Sequence, residues 1–215
     1  MTRANFNSLE SLIGKRLVGV KYHYLPAADT HEYAGTESGF DSDLAAIDLD
    51  FGERGTTIIT WATDGMNQGL ANLNGESYTG LATEVLDAAD RDAWGMSIGD
   101  RISTIAVAWH FSGDDCPESI WAVRIGFSVS SIVIALGTAN QEIDYMPDEL
   151  VVVFDETLAR LYRPASASEI CSRVVFRRIS GGDLLFQDSI DESVAFSQLE
   201  DLLIAVEPPP FLLCA

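Results

Sequence analysis

The side chains with the most chemical reach are two histidines set between aromatics, His23 in Tyr22-His23-Tyr24 and His110 in Trp109-His110-Phe111. An imidazole titrates near neutral pH and can move a proton or ligate a metal. Two of them lining one cleft would suit acid–base chemistry or capture of a small ligand. The plainer expectation is a half-buried strand histidine held by one hydrogen bond, because the chain has 3 histidines in all. After His110 comes Phe111-Ser112-Gly113-Asp114-Asp115-Cys116-Pro117-Glu118, a thiol among acids. A nucleophilic cysteine needs a nearby base and a lowered pKa, whereas Asp114, Asp115 and Glu118 act to raise it. His110, Asp114, Asp115 and Cys116 also lack standard metal-ligand spacing. This segment reads as an acidic hairpin loop suited to contact. Asp48-Leu49-Asp50-Phe51-Gly52 begins like a calcium loop, but Ile59 stands where the bidentate glutamate belongs. No metal and no cofactor are therefore expected. Asp48 and Asp50 instead share one strand face, at a spacing that can meet two arginines of a partner.

Glycine-rich phosphate loops, dinucleotide fingerprints, nucleophile elbows and HExxH pairs do not occur in the sequence, which weighs against the common enzyme classes. What dominates is charge. The chain has 33 Asp+Glu against 13 Lys+Arg, a net charge of -20 and a pI near 4.2. A small domain stays soluble with a net charge of about 2–8. The acids are segregated, with one block from Asp29 to Glu53, a second from Glu142 to Glu156 and a third from Asp183 to Glu207. The bases gather near the start (Arg3, Lys15, Arg16, Lys21) and late (Arg160, Arg163, Arg173, Arg177, Arg178). Such a chain is the opposite of a nucleic-acid binder. Adaptation to high salt is the alternative source of acidity combined with only two lysines.

The elements that must position these groups are mostly strands. Alternation puts Val18, Val20, Tyr22 and Tyr24 on one face of 16–24, and Ile47, Leu49 and Phe51 opposite Asp48 and Asp50 in 45–51. Residues 56–62, 103–111, 120–128, 131–137, 150–154 and 172–179 read as further strands. Gly52-Glu53-Arg54-Gly55 and Ser128-Val129-Ser130 read as hairpin turns. Helix is expected at Ser8–Ile13, capped by Gly14, at Leu81–Ala89, and at Glu192–Val206, which Pro208-Pro209-Pro210 ends. The apolar tail Phe211–Ala215 is expected to pack on the body or enter a partner.

The sequence also repeats itself. Ile13-Gly14-Lys15-Arg16 returns as Ile98-Gly99-Asp100-Arg101, Tyr22-His23-Tyr24 as Trp109-His110-Phe111, and Ala46–Phe51 as Ala122–Phe127. Each series runs into a second apolar strand. The longer 25–44 loop of the first copy accounts for the drifting offset. The expected fold is mainly β (α+β): two related antiparallel β-units from a degenerate duplication, with a C-terminal helix. The expected division is a first unit at 1–90, a second at 91–155 packed on it as one body, and C-terminal strands, helix and tail at 156–215.

Cys116, Cys171 and Cys214 are odd in number and unpaired by spacing, so reduced thiols in a cytoplasm are expected. No signal-peptide core and no membrane-length apolar run is found. In general character, small, acidic and without catalytic motifs, the chain is similar to bacterial toxin-immunity proteins. That similarity implies a non-catalytic cytoplasmic protein that binds and neutralises a basic partner such as a toxin. The expected contacts are Asp41, Asp43, Asp48 and Asp50 on the first loop and strand, Asp114, Asp115 and Glu118 on the second loop, and Trp121 as an aromatic anchor. The alternatives are an enzyme or small-ligand site between the units around His23 and His110, and an assembly platform. Oligomeric state is not fixed by the sequence.

Overall fold

The computed structural model of the chain describes residues 9–24, 39–64, 67–74, 78, 84–89, 91–111, 119–139, 143–144, 146, 148–159, 173–180 and 183–188. A helical turn at Leu9–Glu10 leads to Gly14 and then to β1 (Gly19–Tyr24). β2 (Phe40–Asp50), β3 (Thr56–Asp64), β4 (Asn67–Asn74) and β5 (Glu84–Asp87) follow, then the short helix α1 (Asp92–Gly95). Next come β6 (Thr104–Phe111), β7 (Ser119–Gly126), β8 (Ser131–Leu136), the small pair β9 (Thr138–Ala139) and β10 (Ile143–Asp144), and β11 (Leu150–Val153). The short helix α2 (Glu156–Ala159), β12 (Arg173–Ser180) and β13 (Asp183–Asp188) complete the order. All pairings are antiparallel, and all strands but β9 and β10 belong to one 11-stranded sheet.

The sheet contains one strand plan used twice. β5, β1, β2, β3 and β4 are hydrogen-bonded in that order, and β12, β6, β7, β8 and β11 repeat it. Registers agree residue by residue. Val20 faces Leu49 and Tyr22 faces Ile47 in the first unit; Ile105 faces Ile125 and Val107 faces Val123 in the second. Each ladder then slips by one residue at the same place, between His23 and Tyr24 and between Ala108 and Trp109. Asp48 pairs with Ile58 as Arg124 pairs with Val133, and Thr60 with Ala71 as Ala135 with Val151.

The approaches to β1 and β6 lock onto one another. Gly14 N–H donates to Ile102 O (2.8 Å) and Gly99 N–H to Leu17 O (2.7 Å). Leu17 N–H donates to Asp100 O (3.0 Å) and Ile102 N–H to Lys15 O (2.9 Å). Gly14 and Gly99 end their turns at φ 80° and 85°, a left-handed conformation that favours glycine. An Arg16–Arg101 bridge lies between them.

The units also meet along β2. One edge pairs with β1, while the other pairs first with β11 (Phe40, Asp41, Leu44) and then with β3 (Ala46 to Asp50). The change of partner needs a bulge, and Asp43 sits in it at φ 61°. The principal core lies on the face of Tyr22, Leu44, Ile47, Ile105, Ile125 and Val152, with Trp94 of α1 against it. A second apolar cluster lies on the reverse face of the second unit, where Val133, Ala135, Val151 and Val153 meet Phe40 and Leu158. Each large aliphatic side chain buried in this way contributes roughly 1.5–3 kcal/mol.

The mainly β expectation holds, and the expected strands are present. Residues 84–87 are strand and not helix, because β1 offers an unpaired edge that outweighs the helical composition of the segment. The 25–44 loop gives up its last residues to β2. β12 comes from the expected third segment but fills in the second unit the place that β5 fills in the first. The expected helix at Glu192–Val206 and the tail Phe211–Ala215 lie outside the described residues. Among the described residues no helix is long and apolar enough to cross a membrane.

Candidate functional site

At the end of the principal core a polar chain runs through four residues. Trp94 Nε1–H donates to Tyr22 Oη at 2.6 Å, and Tyr22 O–H donates to Asp41 Oδ2 at 2.9 Å. An Arg91 guanidinium N–H donates to Asp41 Oδ1, and the guanidinium carbon lies 5.6 Å from the Tyr22 ring centroid. Burial, and after it the Asp41 charge, pushes the Tyr22 phenol well above its ordinary pKa. For Arg91, burial acts to lower the pKa, but the Asp41 hydrogen bond and charge outweigh it and raise the value. Every group in the chain is partnered, which is what a buried polar cluster requires. Its effect is to fix α1 and the start of β2 against β1.

On the opposite face of β1, His23 Nε2 lies 2.9 Å from Asp48 Oδ1, and its ring meets Tyr78 edge-on at 5.1 Å. His23 is only 8% exposed. Its contacts are those of a structural strand histidine. The two histidines are not equivalent: the registers place Ala108, not His110, at the position of His23. The side chain of His110 is outside the described residues. Between the units, the cavity lined by Leu9, Ile59, Leu70, Asn72, Ile120 and Val123 has room only for a water-sized guest.

The third cluster lies on the β2–β11 seam. Asp43, exposed in its bulge, stands beside Asp148 and Glu149 at the start of β11. Burial, opposed by a Thr138 hydrogen bond and reinforced by the charges of Asp43 and Asp148, raises the Glu149 pKa. No described cation enters that balance. The second unit carries a shallow cleft on its outer face, lined by Arg124, Ser131, Phe154 and Glu156 among others. Arg124 donates to Ser131 Oγ at 3.1 and 3.3 Å and stands 3.8 Å from Glu156.

The expected contact residues therefore separate. Asp41 is buried and bound by Tyr22 and Arg91, so it cannot meet a partner. Asp48 is paired with His23, and Trp121 is 4% exposed and packed in the core, so it is no surface anchor. Asp50 is half-buried and accepts Gly52 N–H at 2.8 Å, which shapes the turn after β2. Asp43 remains outward. Asp114, Asp115 and Glu118 lie outside the described residues. The sequence reading missed Arg91 and Trp94, which no spacing links to Tyr22. It also passed over Asp148 and Glu149 as contacts, although the acidic block they belong to was visible. Among the described residues no group of three His, Cys, Asp or Glu side chains is placed to hold a metal ion. No protein-family model, curated protein or solved structure matches the chain.

Proposed function

We propose that this chain is a non-catalytic acidic protein that binds and neutralises a basic protein, most concretely an immunity protein acting on a bacterial toxin. The observation that carries the reading is the β2–β11 seam. There burial, and after it the charges of Asp43 and Asp148, raise the Glu149 pKa, and no described cation is among the causes. A partly buried carboxylate beside two exposed ones gains when a lysine or arginine of another molecule arrives, and a net charge of -20 draws such a molecule in. Asp43 and Asp148 are exposed and so available for contact. The His23–Asp48 pair and the water-sized cavity give the small-ligand alternative no comparable support.

The test is affinity capture from the native host at low and at high salt. It uses the wild-type chain and an Asp43→Asn, Asp148→Asn, Glu149→Gln variant. The reading expects a cationic protein that is retained at low salt, lost at high salt and weakened by the variant. Recovery of no cationic protein at low salt overturns it.

A further inference from the structure

We infer that the outer edge of β5 is a docking slot for a basic, extended segment of the partner, which joins the sheet there as an additional strand. The inference rests on the reading above that the partner is basic. Its evidence is the comparison of the two units. β5 and β12 hold the same place: His23 faces Val85 and Lys21 faces Asp87, as Ala108 faces Phe176 and Ala106 faces Arg178. On the far side of β12 lies a further strand, β13, with Phe176 facing Gln187 and Arg178 facing Leu185. Among the described residues β5 pairs with β1 alone. The chain thus contains, in its second unit, an arrangement that the described residues of the first unit lack.

Backbone direction agrees. Ala88 N–H donates to Val20 O at 2.9 Å. Hydrogen-bonded residues alternate along an antiparallel ladder, so Leu86 and Glu84 also turn toward β1 while Val85 and Asp87 turn their N–H and C=O outward. These are the counterparts of Phe176 and Arg178, two of the β12 residues paired with β13. Val85 is 53% exposed and Asp87 is exposed. Asp87 Oδ1 accepts Ala89 N–H at 3.0 Å, which holds the carboxylate at the strand end. Strand addition draws affinity from main-chain hydrogen bonds and selectivity from alternate side chains. An incoming strand would place an apolar residue by Val85 and a lysine or arginine by Asp87. A second copy of this chain is a poor occupant, because each copy carries a net charge of -20 and the two would repel.

The experiment uses a ten-residue peptide alternating Lys and Val, with a Glu–Val peptide as control, and reads amide hydrogen exchange in the full chain. In the unliganded protein Val85 and Asp87 should exchange faster than Leu86. The Lys–Val peptide should slow both by about tenfold or more while the Glu–Val peptide leaves them unchanged. Val85→Pro removes an outward N–H without touching the β1 ladder; it should keep the thermal transition and lose the peptide. Asp87→Lys should exchange the preference between the two peptides. The inference is overturned if Val85 and Asp87 are as protected as Leu86 before peptide is added, or if the peptide protects other residues and not these. Binding of the peptide by Val85→Pro at wild-type strength also overturns it. A cationic host protein captured equally by wild type and Val85→Pro refutes the β5 slot and leaves the basic-partner reading standing. Peptide docking on β5 with no cationic host protein captured does the reverse.

Discussion

Asp48 and Arg124 occupy the same position in the two units and carry opposite charge. Asp48 faces Lys21 and Ile58 across its two ladders, and Arg124 faces Ala106 and Val133 across the corresponding ones. Asp48 is partnered by His23, whereas Arg124 is bound to Ser131 and lies near Glu156. The inversion recurs where β1 and β6 are approached. Lys15 lies 5.1 Å from the Phe51 ring centroid, and its counterpart Asp100 accepts Ser128 N–H at 2.8 Å. One strand plan therefore carries opposite charges at corresponding positions, and what distinguishes the units there is polar chemistry rather than topology.

The His23–Asp48 contact is local, so its loss should be modest. A double-mutant cycle with His23→Ala and Asp48→Ala, followed by urea unfolding, should give a coupling of about 1 kcal/mol. Additive single effects would show that the two side chains do not interact in solution.

The Tyr22 hydroxyl is a different case, because it both accepts from Trp94 and donates to Asp41. Tyr22→Phe preserves the ring and leaves buried groups on either side without their partner. It should destabilise by about 1–3 kcal/mol with an unchanged denaturant slope. An effect no larger than that of an exposed substitution would refute the network.

Glu149 has a raised pKa in the folded chain, from burial first and then from Asp43 and Asp148. The folded state then holds a proton that the unfolded state has already released. Stability should fall as pH rises from the ordinary carboxylate value, about 4.3, through the raised folded one. Glu149→Gln should raise the melting temperature at neutral pH, and the gain should vanish below about pH 4. A gain that is the same at both ends would exclude ionisation of Glu149 as the cause.

Gly39 stands at the head of the seam with φ 74°, where a Cβ would lie 2.9 Å from Asp155 Cβ and 3.0 Å from Leu158 Cδ1. Strain and contact act in the same direction, so Gly39→Ala should cost about 2 kcal/mol, read by chemical denaturation. A neutral result would mean that α2 moves aside at little cost.

The strands were legible because their apolar residues alternate, and the expectation of a repeat rested on glycines and hairpins at matched places. The same alternation explains the mistaken equivalence of the two histidines. A slip of two residues leaves every side chain on its own face, so pattern alone cannot tell Ala108 from His110 as the partner of His23. β4 escaped notice because Asn67-Gln68-Gly69-Leu70-Ala71-Asn72-Leu73-Asn74 has little strand propensity and owes its form to β3. Asp41 was assigned to a loop for a related reason. Phe40-Asp41-Ser42-Asp43 reads as acid-rich connection, and only its pairing with β11 makes it strand and turns Asp41 toward Tyr22. Polar networks assembled from distant segments leave no spacing in a sequence to be read.

The reciprocal bonds of Gly14 with Ile102 and of Gly99 with Leu17 bear on how the molecule comes apart. Each unit closes its leading strand with groups borrowed from the other, so neither half retains a complete ladder once the other has opened. Heating should therefore melt both halves in one cooperative step, with the signal of Trp94 and that of the sheet lost together.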